Sequence, residues 1–368
     1  MDAKLFTSQS FSFSGTRLFL FLAGGLTGSA MLLDLWAGRS FTQGASLTLP
    51  LVFCAVVTAL VGYLAVPLLR SLKAGQIIRE DGPKAHLKKA GTPTMGGAFF
   101  VPVAVIVAVL WSGFAPKVLA VSALTLAYFA IGFLDDWKII RKKSNKGISP
   151  RMKMGLQVSG AVLFCLWMLL TQSPDLTRIA LPIGSGLSLG ALFWVLAGFV
   201  MVAESNATNL TDGVDGLAGG TVAISLLGLG AISGLEGTHY APELMLFCAC
   251  MSGSCLGFLV HNRNPAKVFM GDTGSLALGG ALAAVALLTN SLFALLIVSG
   301  LFLWETISVI IQVSYYKATK NADGVGQRFF KMSPYHNHLE LSGWTETQIV
   351  GWFYAVNAFL VMLAMALL

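Results

Sequence analysis

The chain has 368 residues, of which 55% are hydrophobic and only 11% charged, and its net charge is +7. An ordinary soluble domain carries roughly 25% charged residues. This composition argues against a soluble enzyme or a nucleic-acid-binding domain, and it makes each isolated acid inside or beside an apolar run a candidate for function.

A membrane-crossing helix needs about 20 predominantly apolar residues. In chain order, eleven runs are predicted to meet that need: roughly 17–37, 50–69, 95–113, 117–134, 154–172, 187–203, 217–234, 242–260, 275–290, 292–315 and 348–367. Glycines interrupt 217–234 and 275–290. The fold class is therefore all-α, a polytopic integral membrane protein. The first run lacks the short apolar core and small-residue cleavage site of a signal peptide, so it is read as a retained helix.

If the loops alternate sides from an inside N-terminus, 21 of the 24 Lys/Arg fall inside, and only Arg39, Lys117 and Arg178 fall outside. The positive-inside rule then places the N-terminus in the cytoplasm and the C-terminus in the periplasm. His86, His261, His336 and His338 share the cytoplasmic side, and His239 is outside. The five cysteines (Cys54, Cys165, Cys248, Cys250 and Cys255) all lie in predicted spans. They are read as small packing residues rather than a disulfide or metal framework.

Five polar segments interrupt this pattern on the cytoplasmic side. The stretch from Arg79 to Gly97 holds His86, Lys89 and Thr94. Basic residues there can simply meet anionic lipid, or Lys89 beside Thr-Pro-Thr-Met-Gly-Gly can grip a phosphate. Asp135 and Asp136 are expected at the C-terminus of the fourth span, where the helix dipole opposes them. Two carboxylates about 4 Å apart repel by roughly 4 kcal/mol at an effective dielectric near 20. A cation would relieve both penalties, and so would neutralisation by Lys138, Arg141, Lys142 and Lys143.

The segment Asn206–Gly220 contains Asn209, Asp212 and Asp215 and no Lys or Arg. Asp212 and Asp215 would share a face on a helical turn, while the glycines leave backbone N–H groups approachable. Its two Asn-x-Thr matches are not glycosylation sites in a cytoplasmic loop, and a cap role for Asp212 would leave the other polar residues unexplained. Asn262–Ser275 places Asp272 between glycines before a helix, a setting suited to a hard cation, and it also holds Phe269. No Lys-Ser/Thr pair follows, so it is not a phosphate loop of the Walker type. Ser333–Glu340 is expected as a loop carrying His336 and His338. Glu305, inside the tenth run, is an intramembrane acid housed either by Gln312 or by a broken helix.

Five of these motifs together resemble the phospho-N-acetylmuramoyl-pentapeptide transferases, within the polyprenyl-phosphate N-acetylhexosamine-1-phosphate transferases. They are GTPTMGG at 91–97, FLDDW at 133–137, NLTDGVDGLAGG at 209–220, NPAKVFMGDTGS at 264–275 and SPYHNHLE at 333–340. The resemblance covers about 50–368, which divides the chain into an N-terminal extension with an extra helix (1–49) and a transferase membrane domain (50–368). The family's usual ten spans would thus be joined by one more. The middle histidine of the family's triple is Asn337 here.

The resemblance implies a reaction at the cytoplasmic face of the bacterial inner membrane. Undecaprenyl phosphate would attack UDP-MurNAc-pentapeptide, releasing UMP and forming lipid I for peptidoglycan synthesis. It implies Mg²⁺, with Mn²⁺ as a substitute, and Asp272 as the metal ligand. Asp135 would take a proton from the lipid phosphate, Asp136 would support metal or substrate, and His336 and His338 would complete the catalytic set. Lys89, Thr94, Asn209, Asp212, Asp215, Asn262 and Phe269 would line the nucleotide pocket. Membrane lipid is the surrounding partner, nucleic acid is not a partner, and the resemblance allows a homodimer. Two rivals follow: a related transferase using UDP-GlcNAc or another UDP-sugar, and a cation-coupled transporter. The latter expects midplane sites and inverted repeats, whereas these motifs are one-sided and no internal repeat is visible.

Overall fold

A helix occupies most of each of the eleven apolar runs in the computed structural model, although the run 187–203 begins in a strand and turn and is helical only from Leu192; the structure describes residues 14–40, 46–72, 89, 91–142, 146–182, 185–234 and 241–367. The whole Arg79–Lys88 stretch, including His86, lies outside the described residues, as do Lys143 and His239. The helices are α1 (Gly15–Trp36), α2 (Thr48–Ser71), α3 (Gly97–Trp111), α4 (Pro116–Lys142), α5 (Pro150–Thr171), α6 (Leu192–Thr211) and α7 (Leu217–Ser233). They continue with α8 (Pro242–Asn262), α9 (Gly271–Leu288), α10 (Leu292–Val298), α11 (Gly300–Ala318), α12 (Tyr335–Leu341) and α13 (Glu346–Leu367). Among the described residues seven helices are long and apolar enough to cross a membrane, or eight if α10 and α11, bent by 67°, count as one span. The helices α3 and α7 are apolar but shorter. An addition to the all-α expectation is a small antiparallel hairpin, β1 (Arg178–Ala180) with β2 (Gly186–Ser188), between α5 and α6.

The two glycine-interrupted runs form the centre. Every residue of α7 is buried, and α9 is buried from Thr273 to Leu288. Both are surrounded by protein: α8 packs on α2 and α7, and α9 packs on α4 and α6. Without a hydrophobic drive between helices in lipid, close packing of small residues holds such pairs together. Gly132 on α4 shows the consequence for the site, because a Cβ there would collide with the Asp272 carbonyl. The periphery is different. Leu20, Phe21 and Leu32 of α1, Leu60 and Leu64 of α2, and Leu163 and Leu170 of α5 are exposed apolar side chains that suit a hydrocarbon solvent.

The N-terminal helix is tied to the rest by a buried acid that the sequence did not signal. Asp34 near the end of α1 accepts the N–H groups of Leu47 and Thr48 and the hydroxyls of Ser46 and Thr48. It thereby caps the first turn of α2 from outside, satisfying donors that a helix start leaves orphaned. Arg39 pairs with Asp34 at 3.1 Å and donates to the Gly234 carbonyl beyond α7.

Several boundaries differ from expectation, among them the end of α6 at Thr211 rather than 203, and three more bear on the site. α4 continues to Lys142, past 134, so Asp135 and Asp136 are not at a helix end; Arg141 and Lys142 fill the last turn instead. α9 begins at Gly271, which brings Asp272 into its first turn. Ser333–Glu340 is not a loop throughout, because Tyr335–Leu341 forms α12.

Candidate active site

Four acids converge where α4, α6 and α9 meet. Gly271, at φ 73°, opens α9, and its N–H donates to the Asp212 carboxylate. Asp136, buried on α4, accepts the N–H of Asp272 at 3.3 Å and both the N–H and hydroxyl of Thr273, at 3.0 and 2.6 Å. It caps α9 across the helix crossing, an anion at a positive helix end. Asp136 therefore holds Asp272 in position, and its own lone pairs are largely committed. Asp135, one residue earlier, accepts the Ile148 N–H at 2.6 Å and lies against Asp272. Among the described residues, Lys138, Arg141 and Lys142 at the end of α4 hydrogen-bond to neither acid, and Lys143 lies outside the described residues.

Asp272 is the hub. Its carboxylate accepts from Asn209 Nδ2 at 2.8 Å and forms an ion pair with Lys153 of α5. Asn209 also donates to Ser275, locking the end of α6 onto α9. Burial pushes the Asp212 carboxyl up to about 8, and the charges of Asp272, Asp136 and Asp215 add to this against the Gly271 N–H. Crowding four carboxylates this closely is unfavourable without positive charge. Lys153 supplies part of it.

Asp212 and Asp215 do not share a helical face. Asp212 is the C-cap of α6, and Gly216, at φ 84°, starts α7, so the pair straddles a tight turn. The left-handed conformation at Gly216 is one that glycine adopts readily. Asp212 faces α9, whereas Asp215 faces a second network. There Lys89 lies 2.7 Å from both Asp215 and Glu346, the first residue of α13. Asp215 also accepts from the Ala266 N–H, and Asn264 donates to both acids. Burial disfavours the charged Lys89, but Asp215 and Glu346 outweigh it and raise its pKa above the ordinary lysine value.

The other expected residues fall around these two networks. Asn262 accepts from Gly216 N–H and donates to the Val268 carbonyl, acting as a clasp within the turn. Phe269 is half-buried, and its backbone pairs with Pro93 and Gly96. Thr94 packs against Gly271. The two histidines diverge because they are two apart on α12. His336 is buried and its Nδ1 lies 3.1 Å from Glu305 of α11. Its Nε2 edge rests on Gly213, beside Asp212. His338 instead stacks on Tyr335 and accepts from the Lys331 N–H. Glu305 is thus housed by His336 at the broken tenth run, while Gln312 accepts from Phe330 N–H. Asn337 is buried beside His336.

Lys153, Glu346, Asn264 and Thr273 were not singled out from the sequence. Lys153 was one of seven basic residues between 135 and 153, with nothing to distinguish it. Glu346 carried only the signal of an acid in the first turn of a span.

A signature described as phospho-N-acetylmuramoyl-pentapeptide-transferase signature 1 matches residues 89–101. The chain is 64% identical to the phospho-N-acetylmuramoyl-pentapeptide-transferase of a Nostoc species, covering 100% of this chain and 99% of the relative. This chain belongs to the phospho-N-acetylmuramoyl-pentapeptide-transferase family. Similar proteins of the same name include one from Nostoc punctiforme, 63% identical with both chains fully covered, and one from Rippkaea orientalis, 60% identical over 99% of each. The broader Glycosyl transferase family 4 matches 118–290, spanning the four converging acids but not Glu305, His336 or Glu346. Since the Nostoc alignment runs the whole length, α1 belongs to the aligned region of these phospho-N-acetylmuramoyl-pentapeptide-transferases.

Proposed function

We propose that this protein transfers phospho-MurNAc-pentapeptide from UDP-MurNAc-pentapeptide to undecaprenyl phosphate, giving lipid I and UMP. The observation that carries this reading is the four-acid convergence at Asp272, together with full-length similarity to enzymes bearing that name. The active face is cytoplasmic in the inner membrane, by the distribution of Lys and Arg. The eleven helical runs all cross or line the membrane domain, with the N-terminus inside.

Mg²⁺ suits the donor set. The acids present hard carboxylate oxygens, and Lys153 already places one cation on Asp272. Among the described residues no three His, Cys, Asp or Glu form a self-sufficient metal cage. Mg²⁺ typically takes one or two carboxylates and completes its shell with substrate phosphate and water. Asp272 would hold it, with Asp135 or Asp212 as the second carboxylate. Bound there, it would offset negative charge on the diphosphate and the departing UMP.

The protein's own groups do the rest. Asp136 fixes the α9 N-terminus, and Asn209 aims the Asp272 carboxylate. Asp135, held by the Ile148 N–H, is the group placed to take a proton from the acceptor phosphate. Lys89, between Asp215 and Glu346, is the ammonium available to a nucleotide phosphate. Phe269 offers a half-buried ring for the uracil. His336, held by Glu305, supports the Asp212–Gly213 turn.

The test is UMP release by purified protein with undecaprenyl phosphate, Mg²⁺ and UDP-MurNAc-pentapeptide, beside Asp272→Asn and a UDP-GlcNAc control. Release that needs both lipid and the muramoyl substrate, and is lost in Asp272→Asn, supports the reading. Release with UDP-GlcNAc alone moves the chain to the sister activity. No release with either sugar from folded protein overturns it.

A further inference from the structure

The first turn of α1 rests on the segment that carries Asn264, at the edge of the Lys89 network. Gly15 is buried there, and a Cβ on it would strike the Asn264 carbonyl. One residue on, the Thr16 hydroxyl accepts from Arg263 Nε at 3.2 Å, and the Arg263 guanidinium lies over the Phe19 ring, 5.4 Å from its centre. A cation over an aromatic face is attracted to it, more strongly where water is partly excluded. Arg263 also donates to the Val260 carbonyl at the end of α8. Leu18, between these contacts, packs into the apolar cluster that includes Ile349 and Val350 of α13. The extra helix therefore touches both the 263–264 corner and the helix that begins at Glu346.

Asn264 transmits that contact. Its Nδ2 donates to Asp215 at 3.3 Å and to Glu346 at 3.1 Å, and each of those acids lies 2.7 Å from Lys89. An amide shared by two carboxylates fixes their spacing, and hydrogen bonds to charged groups carry more energy than neutral ones. The far end of α1 is anchored separately by Asp34, so the helix is braced at both ends. We propose that α1 is a positioning element for the nucleotide site: Gly15, Thr16 and Phe19 fix the Arg263–Asn264 corner, and Asn264 then holds Asp215 and Glu346 at the spacing that presents Lys89. The proposal rests on the reading in which Lys89 meets a nucleotide phosphate. It gives a helix outside the five motifs a part in substrate binding, exerted wholly through other residues.

The test sets Gly15→Ala against Gly25→Ala on the same helix, because a Cβ at Gly25 meets nothing within 4 Å. Gly15→Ala should raise KM for UDP-MurNAc-pentapeptide about fivefold, with kcat and KM for undecaprenyl phosphate unchanged, and Gly25→Ala should alter none of them. Phe19→Leu should act in the same direction as Gly15→Ala, and Phe19→Tyr, which keeps the ring face, should not. Placed on Lys89→Met, Gly15→Ala should add nothing, because substitutions that act through one group are not additive. General loosening of the fold would add the same factor in both backgrounds. A readout without turnover is acetylation of Lys89 by acetic anhydride, followed by peptide mass spectrometry. It should run roughly threefold faster in Gly15→Ala than in the wild type, as local opening of the network becomes easier. If the wild type releases no UMP, the transferase reading fails, and the acetylation rates still decide whether α1 braces Lys89. Unchanged acetylation in both Gly15→Ala and Phe19→Leu, unchanged nucleotide KM in an active enzyme, or an undiminished effect of Gly15→Ala on Lys89→Met would overturn the proposal.

Discussion

The two polar networks at this end of the protein are built from the same residue types but differ in how far their negative charge is balanced. Around Asp272, four carboxylates crowd together with one lysine, and burial with the neighbouring acids pushes the Asp212 carboxyl up to about 8. Around Lys89, two carboxylates and one lysine pair at 2.7 Å with Asn264 and Ala266 completing the hydrogen bonds. The first has negative charge to spare and calls for a cation. The second is close to satisfied, and it ties the α6–α7 turn, the 262–266 segment and α13 together.

That contrast sets the order of expected effects. Asp272→Asn removes the hub and should lower UMP release by about 10³-fold, in the range seen when a principal electrostatic group is lost. Asp136→Ala should act differently, through α9. Losing three hydrogen bonds to a buried anion should reduce stability by about 2–3 kcal/mol, read as a lower unfolding temperature in detergent, with turnover falling alongside. Lys89→Met should raise KM for the nucleotide substrate about tenfold while kcat changes little. An equal loss of kcat would move Lys89 into the chemistry and erase the distinction between the networks.

The smallest effect is on pH. Asp212 binds its proton more tightly in the folded chain than a free carboxylate does. Without divalent cation, its contribution therefore favours folding at low pH and is lost as pH rises from the ordinary carboxylate range through about 8. Cation binding needs the deprotonated form, so apparent Mg²⁺ affinity should tighten across the same interval and level off above it. Asp212→Asn should flatten both trends.

The sequence made the helices and most of the site's residues legible, because long apolar runs and stranded acids are strong signals in a chain with so little charge. What it hid was where helices end and whom each acid meets. The expected dipole penalty at Asp135–Asp136 disappeared because α4 runs two turns further, carrying those acids into a helix crossing rather than a terminus. Asp212 and Asp215, three apart, parted company because α6 ends at Thr211 and both lie in the turn that leads to α7, so no helical face joins them. His336 and His338 look equivalent in a loop but diverge on α12, and only His336 faces the site. Partners far away in sequence, such as Lys153 for Asp272 and Glu346 for Lys89, leave no local pattern. The same holds for Asp34, whose role exists only because α2 starts where α1 ends.

The most direct measurement is the number of Mn²⁺ ions bound per chain, read by electron paramagnetic resonance with UDP-MurNAc-pentapeptide present, in wild type, Asp272→Asn and Lys89→Met. The account predicts bound Mn²⁺ in the wild type, its loss in Asp272→Asn and its retention in Lys89→Met at saturating nucleotide. Retention in Asp272→Asn, or loss in a folded Lys89→Met protein, would contradict the assignment of the cation to the acidic centre.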